Sequence, residues 1–180
     1  MASRVLCLLA EGFEEIETIT PVDLLRRAGI EVVLAALGDH LLVKGRCSVL
    51  IQADSYLSEL NTSDFDLLFL PGGPGVAYLR QDGRAGALAK EFMRSGRKVA
   101  AICAAPLVLH DAGLLEGKKY TAHDSTYAVL TEAEPAEQVI VDGHLITSRG
   151  AGTAFIFGLA LISALLTEAE ASIVARSVMA

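Results

Sequence analysis

Short, unbroken apolar runs alternate with helical stretches along most of this 180-residue chain. Strands that are apolar throughout are buried on both faces, and the helices between them must then cover both faces of the sheet. The pattern therefore predicts an α/β fold with a mostly parallel sheet and helices on both faces. We expect strands at residues 5–10, 31–37, 66–70 and 98–102, and a hairpin in which residues 138–141 and 144–147 flank Asp142-Gly143.

Helices are expected at residues 14–28, 84–95 and 104–112, and two more end the chain, separated near Thr167. No repeat, low-complexity tract or long linker divides the sequence, so we expect a single domain over residues 1–180. In sheets of this kind, ligands bind at the carboxyl ends of the strands. The loops that follow the strands are residues 11–17, 71–75, 102–106 and 148–153.

Composition and charge exclude several classes of protein. The net charge is −7 and no basic cluster is larger than a pair, so nucleic acid is not expected as a primary ligand. The sequence contains no run of 18 apolar residues, so no membrane span is expected. Three cysteines without a CxxC motif and four histidines without HExxH spacing predict neither a disulfide framework nor a metal site. The first residues lack a signal-peptide cleavage pattern, so we expect mature sequence and a cytoplasmic location.

Cys103 occupies the most informative position in the sequence. It follows the strand predicted at residues 98–102 and precedes Pro106, which suits the first turn of a helix. Ala101 and Ala105 are small enough to permit a tight strand-to-helix elbow that presents a nucleophile. The N-terminus of the following helix is expected to favour the thiolate. The alternative is an inert buried cysteine, and the turn position favours the reactive interpretation.

Glu17 is the candidate partner of this thiol. Phe13, Glu17, Thr20 and Leu24 recur at helical spacing and share one face of the first predicted helix. Glu17 therefore lies on an apolar stripe, where burial would raise its pKa and let it donate a hydrogen bond to a thiolate. The alternative is that its side chain lies at the edge of the stripe and reaches solvent.

The sequence Pro-Gly-Gly-Pro-Gly at residues 71–75 follows a buried strand, and its glycines allow the backbone to approach a ligand closely. The amides of Gly72 and Gly73 could form half of an oxyanion pocket, with the Ala104 amide as the other half. An ordinary strand-to-helix turn is the alternative.

Two further features point in different directions. Residues 150–155 nearly match a dinucleotide fingerprint, but Phe155 replaces the last small residue and too little chain follows for a second βαβ unit. We therefore expect no nucleotide cofactor. His123 has the chemistry of a general base, although a lone histidine is more often structural or at the surface.

Taken together, these residues resemble the ThiJ/PfpI superfamily, and specifically its DJ-one branch, which includes the parkinsonism-associated deglycase and bacterial relatives. The resemblance runs nearly end to end and is carried by Ala10-Glu-Gly-Phe-Glu-Glu-Ile-Glu-Thr18, Pro21-Val-Asp-Leu-Leu-Arg-Arg-Ala-Gly29, Leu70-Pro-Gly-Gly73, Ala100-Ala-Ile-Cys-Ala-Ala-Pro106 and Thr147-Ser-Arg-Gly-Ala-Gly-Thr153.

The resemblance implies a flavodoxin-like three-layer sandwich and a homodimer. It implies that Cys103 is the reactive nucleophile, Glu17 the protonated carboxyl beside it and His123 a nearby histidine. It further implies that the amides of Gly73 and Ala104 stabilise an oxyanion, and that Glu14 and Arg27 border the pocket or the dimer contact. Two positions depart from the family pattern: Pro74 replaces a frequent Asn, and Asp124 replaces a Pro after the histidine. The resemblance is poor at residues 37–51, so no sensor role carries over to Cys47.

Two hypotheses use the same residues. The first is a cofactor-independent glyoxalase or protein deglycase, with a role in oxidative or carbonyl stress, in which Cys103 attacks α-oxoaldehydes such as methylglyoxal or their adducts. The second is a non-enzymatic redox sensor or chaperone in which Cys103 is oxidised to a sulfinate. A cysteine protease or amidase is a weaker third, because the protease branch resembled here has His directly after its cysteine and this chain has Ala104.

Overall fold

The computed structural model describes residues 3–180. Its strands are β1 (Arg4–Leu9), β2 (Glu31–Ala36), β3 (Leu42–Lys44), β4 (Leu50–Gln52), β5 (Ser55–Tyr56), β6 (Leu67–Leu70), β7 (Lys98–Ile102), β8 (Val139–Asp142) and β9 (Leu145–Ser148). Its helices are α1 (Glu15–Arg27), α2 (Val76–Asp82), α3 (Arg84–Arg94), α4 (Pro106–Asp111), α5 (Ala154–Leu165) and α6 (Glu168–Ser177).

Seven strands form one sheet in the order β5-β2-β1-β6-β7-β9-β8, and every pair is parallel except β8 with β9. Side chains of β1 divide between two cores: Val5, Cys7 and Leu9 enter one, and Leu6 and Leu8 enter the other. The first core also contains residues of α1, α5 and α6, and the second contains residues of α2, α3 and α4. The expected α/β fold, with a mostly parallel sheet between two helical layers, is confirmed.

Several elements differ from the sequence prediction. The strands β3, β4 and β5 and the helix α2 were not predicted; β3 and β4 form a separate antiparallel pair outside the main sheet. Helix α4 begins at Pro106 rather than 104, because residues 103–105 form the turn that leaves β7. The β8–β9 turn is Gly143-His144 rather than Asp142-Gly143, because Asp142 still pairs with Leu145.

Close packing between α1 and α5 fixes the helix that carries Glu17. A Cβ added to Gly158 of α5 would lie 2.7 Å from Leu24 Cδ1 and 3.1 Å from the Pro21 Cα. The two helices therefore approach closely at a position that only glycine permits without displacement. This contact seats α1 against α5 one to two turns beyond Glu17.

Among residues 3–180, no helix combines the length and hydrophobicity that crossing a bilayer requires. Met1 and Ala2 lie outside the described residues, so the expectations about the chain start and about a single domain over residues 1–180 stay predictions.

Candidate active site

Cys103 lies at a sharp turn between β7 and α4. Its backbone has φ of +66°, in the left-handed region that a non-glycine residue adopts at a cost of about 1–3 kcal/mol. Hydrogen bonds to neighbouring segments hold this conformation: the Cys103 N–H donates to Ser148 O at the end of β9 at 2.9 Å, and the His123 N–H donates to Cys103 O at 2.9 Å. The strained elbow expected from the sequence is present, and it directs the sulfur to the carboxyl ends of the strands.

Glu17 lies in the first turn of α1 and is only 1% exposed, so the alternative that it reaches solvent is wrong. Burial raises the pKa of its carboxyl to about 7, and the negative charge of Glu14 adds to that rise. The Cys103 thiol, the Gly72 amide and the charge of Arg46 offset part of it. One carboxyl oxygen, Oε2, is buried and has no hydrogen-bond partner among residues 3–180. Glu17 is therefore able to carry a proton near neutral pH.

The pKa of the Cys103 thiol is raised to about 12, first by burial and then by the charge and hydrogen bonding of Glu17. The amides of Gly73 and Ala104 act in the opposite direction and lower the pKa of this thiol. The helix N-terminus was expected to favour the thiolate; the Ala104 amide does lower the pKa of the thiol, but burial and Glu17 outweigh it. Glu17 ceases to oppose a thiolate once it is protonated, so the two side chains behave as a pair that shares one proton.

Two glycines allow the loop after β6 to reach this pair. Gly73 has φ of +90°, and a Cβ there would lie 2.6 Å from Gly12 O and 2.7 Å from Glu14 N. A Cβ at Gly72 would overlap the Glu17 carboxyl and the Cys103 side chain. Both positions therefore require glycine, and the Gly73 amide faces the sulfur together with that of Ala104. That these two amides serve as the donors of an oxyanion pocket stays a prediction.

His123 lies at the rim of the site, with 46% of its side chain exposed. Its Nδ1 is within 3.2 Å of the Ser125 N–H, 2.9 Å of Ser125 Oγ and 3.0 Å of Asp124 Oδ1. The residue that departs from the family pattern, Asp124, therefore contacts the nitrogen that faces away from the pocket. The opposite edge of the ring, at Cδ2, faces the space next to Gly150.

Glu14 and Arg27 have different positions in the structure. Glu14 is buried and caps α1, because its Oε2 accepts the Glu17 N–H at 2.7 Å. Arg27 is at the other end of α1, about 15 Å along the helix axis from Glu17, and pairs with Asp23 at 2.7 Å. The structure therefore brings Glu14 to the pocket and does not bring Arg27 there within one chain. A role of Arg27 in a dimer contact stays a prediction.

Gly150 is a site residue that the sequence analysis did not identify. The loop at residues 148–153 was expected at the ligand-binding edge, but Gly150 itself was not proposed as a site residue; it is buried beside Cys103, Glu17 and His123. The available signal was its position directly after a strand of the parallel sheet, at the edge where ligands bind.

The fold and the site together define an α/β protein in which a cysteine at a strand–helix elbow is paired with a buried glutamate. The model of the DJ-1/PfpI family matches residues 3–164. The Drosophila melanogaster protein dj-1beta is 37% identical over 183 residues, which is 99% of this chain and 98% of that protein. The chain belongs to the DJ-1/PfpI family, within its DJ-1 branch.

Other relatives match this chain over different fractions of their own length. DJ-1 homolog B of Arabidopsis thaliana is 41% identical over 163 residues, and this chain spans only 37% of that longer protein. The Bacillus subtilis protein named putative cysteine protease YraA is 37% identical over 153 residues, 83% of this chain and 90% of that protein.

Solved structures agree with the fold. The crystal structure of Drosophila melanogaster DJ-1beta has a TM-score of 0.95 at 38% identity, and the match covers 99% of this chain and 98% of that one. The structure described as oxidized Toxoplasma gondii DJ-1 has a TM-score of 0.93 at 34% identity, with 99% and 98% covered.

Proposed function

We propose that this protein is a cofactor-independent glyoxalase or protein deglycase that acts on small α-oxoaldehydes such as methylglyoxal, or on their adducts, and counters carbonyl or oxidative stress. The observation that carries the proposal is the buried Glu17 carboxyl beside the Cys103 side chain, both of which border Gly72. A thiol that must become a nucleophile and a carboxyl with a pKa of about 7 are suited to moving a proton near neutral pH.

The reaction begins when the Cys103 thiolate attacks the aldehyde carbon. A C–S bond forms and the carbonyl electron pair moves to oxygen, where the amides of Gly73 and Ala104 donate hydrogen bonds. Glu17 supplies the proton that converts the oxyanion to a hemithioacetal hydroxyl. Because Glu17 is then ionised, it is ready to act as a base.

In the second stage, Glu17 removes the proton from the former aldehyde carbon while the neighbouring ketone oxygen takes up a proton from water, which gives an enediol. Glu17 then returns its proton to the neighbouring carbon while the hydroxyl on the former aldehyde carbon loses its proton to water and becomes the thioester carbonyl. The product is a thioester of a 2-hydroxy acid on Cys103. Water then cleaves the C–S bond and returns the thiol, so the overall change adds one water to methylglyoxal and gives lactate. His123 at the rim can assist proton transfer with water.

The test is the conversion of methylglyoxal to lactate by purified protein. Cys103→Ser and Glu17→Gln should each lower kcat/KM by at least 100-fold. Cys47→Ser is the matched control, because Cys47 is exposed and lies on the loop between β3 and β4. If the wild type is no faster than Cys103→Ser, the proposal is wrong.

The second candidate is a redox sensor or chaperone that acts through a Cys103 sulfinate. The unpartnered Oε2 of Glu17 supports it, because a protonated carboxyl there could donate to a sulfinate oxygen. A relative whose structure is described as oxidized also supports it. Two peroxide molecules would each transfer one oxygen to the sulfur and leave as water. Mass spectrometry after mild peroxide should show 32 Da added at Cys103 alone; even oxidation of Cys7, Cys47 and Cys103 would contradict it.

A protease or amidase remains the weakest candidate. The name of the Bacillus subtilis relative is its only support. Ala104 follows Cys103 in this chain, whereas the protease branch of the ThiJ/PfpI superfamily has His at that position.

We also propose the homodimer that the family resemblance implies. Ile16 of α1 is 54% exposed and Leu50 of β4 is 55% exposed. Glu15 fastens the β3–β4 loop to α1, because its Oε1 accepts the N–H groups of Cys47 and Val49 at 2.8 and 3.3 Å. Light scattering should give twice the chain mass. Ile16→Asp should weaken the dimer, whereas Ile173→Asp on α6, at a side chain 50% exposed, should not.

A further inference from the structure

Gly150 occupies a different kind of position from the other glycines of the site. A Cβ added there would lie 3.4 Å from His123 Cδ2, 3.6 Å from Glu17 Oε1 and 4.0 Å from Cys103 Sγ. These are ordinary van der Waals distances, so the Cβ would fit without a collision. At Gly72 and Gly73, by contrast, a Cβ would collide with its surroundings.

The backbone at position 150 does not require glycine either. Its φ of 162° and ψ of −165° describe extended chain that any residue adopts. Thr153 fixes this conformation by hydrogen bonding to the main chain of Gly150. Gly150 O accepts the Thr153 N–H and hydroxyl, both at 2.9 Å, and the Gly150 N–H lies 3.2 Å from Thr153 Oγ1. The lack of a side chain at Gly150 therefore serves neither the turn nor the packing. It leaves a space of about one methyl group among the sulfur, the carboxyl and the histidine.

The positions of the surrounding groups indicate which part of a bound substrate enters this space. The carbonyl oxygen of a bound aldehyde turns toward the amides of Gly73 and Ala104, which face the sulfur. Glu17 must reach both the attacked carbon and its neighbour, and its Oε1 borders the space at Gly150. The neighbouring carbon and its substituent therefore lie against Gly150, in contact with Glu17.

We propose that Gly150 sets the size of the substituent that a substrate carries on the carbon next to its aldehyde. The substrate class is then α-oxoaldehydes in which this carbon bears hydrogen or methyl, and the methyl of methylglyoxal occupies the space at Gly150. The inference rests on the proposed function and specifies its substrate.

The decisive variant is Gly150→Ala, whose own methyl fills the space. The kcat/KM for methylglyoxal should fall by about 10- to 100-fold, while that for glyoxal, which lacks the methyl, should fall by less than about 3-fold. Gly152→Ala is the matched control in the same loop, because a Cβ there has no atom within 4 Å. It should leave both substrates unchanged. Equal losses for the two aldehydes in Gly150→Ala, or no loss for either, would overturn the inference.

A second measurement separates this inference from the proposed function. In a Cys47→Ser background, the Cys103 thiolate is treated with methyl methanethiolsulfonate or with its benzyl analogue, each of which forms a mixed disulfide with the sulfur and releases methanesulfinate. Gly150→Ala should slow the benzyl reagent at least 10-fold more than the methyl reagent, and Gly152→Ala should slow neither selectively. A wild type that turns over neither aldehyde refutes the proposed function, and the ratio of the two rates of mixed-disulfide formation then still decides whether Gly150 limits the size of the group that reaches the sulfur. An unchanged ratio refutes that role.

Discussion

Replacing Glu17 by glutamine removes the negative charge nearest the Cys103 sulfur and leaves a group of the same shape. After burial, the negative charge of Glu17 is the largest cause of the raised pKa of the Cys103 thiol. For two like charges about 4–6 Å apart, at an effective dielectric constant of about 20, the repulsion is about 3–4 kcal/mol, which corresponds to about 2–3 pKa units. Glu17→Gln should therefore lower the Cys103 pKa from about 12 by about 2 units, and the pKa should stay above the ordinary value of 9.0 because burial, the largest cause, remains.

The assay is a pH titration of thiolate absorbance at 240 nm together with the rate of iodoacetamide alkylation. It is done in a Cys47→Ser background, because Cys47 is exposed and would titrate as well. Cys7 is fully buried and its thiol pKa is raised far above the ordinary range, so it does not interfere. Cys103→Ser gives the baseline. If Glu17→Gln moves the last Cys103 transition by less than half a pH unit, the argument that the carboxyl holds this thiol protonated is refuted.

The remaining predictions concern stability. Because its pKa is raised, Glu17 stays protonated to a higher pH in the folded chain than in the unfolded chain. Its protonation therefore contributes fully to stability below about pH 4.5, and this contribution is lost as the pH rises to about 7. Over that interval the free energy of unfolding should fall by about 3 kcal/mol relative to Glu17→Gln, measured by urea denaturation; parallel pH profiles would contradict it. At position 103, where φ is +66°, Cys103→Gly should be more stable than Cys103→Ala by about 1 kcal/mol, the reverse of the usual order in regular structure. Gly158→Ala should push α1 away from α5 and lower the unfolding free energy by about 1–3 kcal/mol in thermal or urea melts, whereas Gly152→Ala, which has open space at its Cβ, should change it by less than about 0.5 kcal/mol.

The parts of the structure that could be predicted from sequence are those in which the local pattern and the tertiary environment agree. The apolar run of β7 followed by Pro106 fixed the elbow at Cys103, since a buried strand and a helix start leave only two or three residues between them. The helical spacing of Glu17 and Leu24 likewise predicted that the carboxyl faces inward, because a helix against a sheet has only one buried face, and both residues are buried on α1.

The parts that were missed depend on contacts between distant segments. The strands β3 and β4 have largely exposed side chains, so their sequence lacks the apolar run that marks a core strand. Helix α2 is short and is flanked by Gly75 and Gly83, which favours an interpretation as loop. Gly150 has no side chain to give a pattern, and its importance follows only from the three groups that surround it in space. The elevated thiol pKa at Cys103 was missed because a local argument from the helix N-terminus omits the burial of the sulfur and the carboxyl contributed by α1.

The hydrogen bonds that hold the elbow come from main-chain atoms of Ser148 and His123, and its turn does not use the cysteine sulfur. The conformation at residue 103 is therefore independent of the side chain that residue 103 carries. In evolutionary terms, a single codon change can exchange the nucleophile for a hydroxyl or a carboxylate while the two amide donors and the glutamate stay in place. The reaction catalysed by this fold can therefore change by substitution at residue 103 before the backbone of the turn changes.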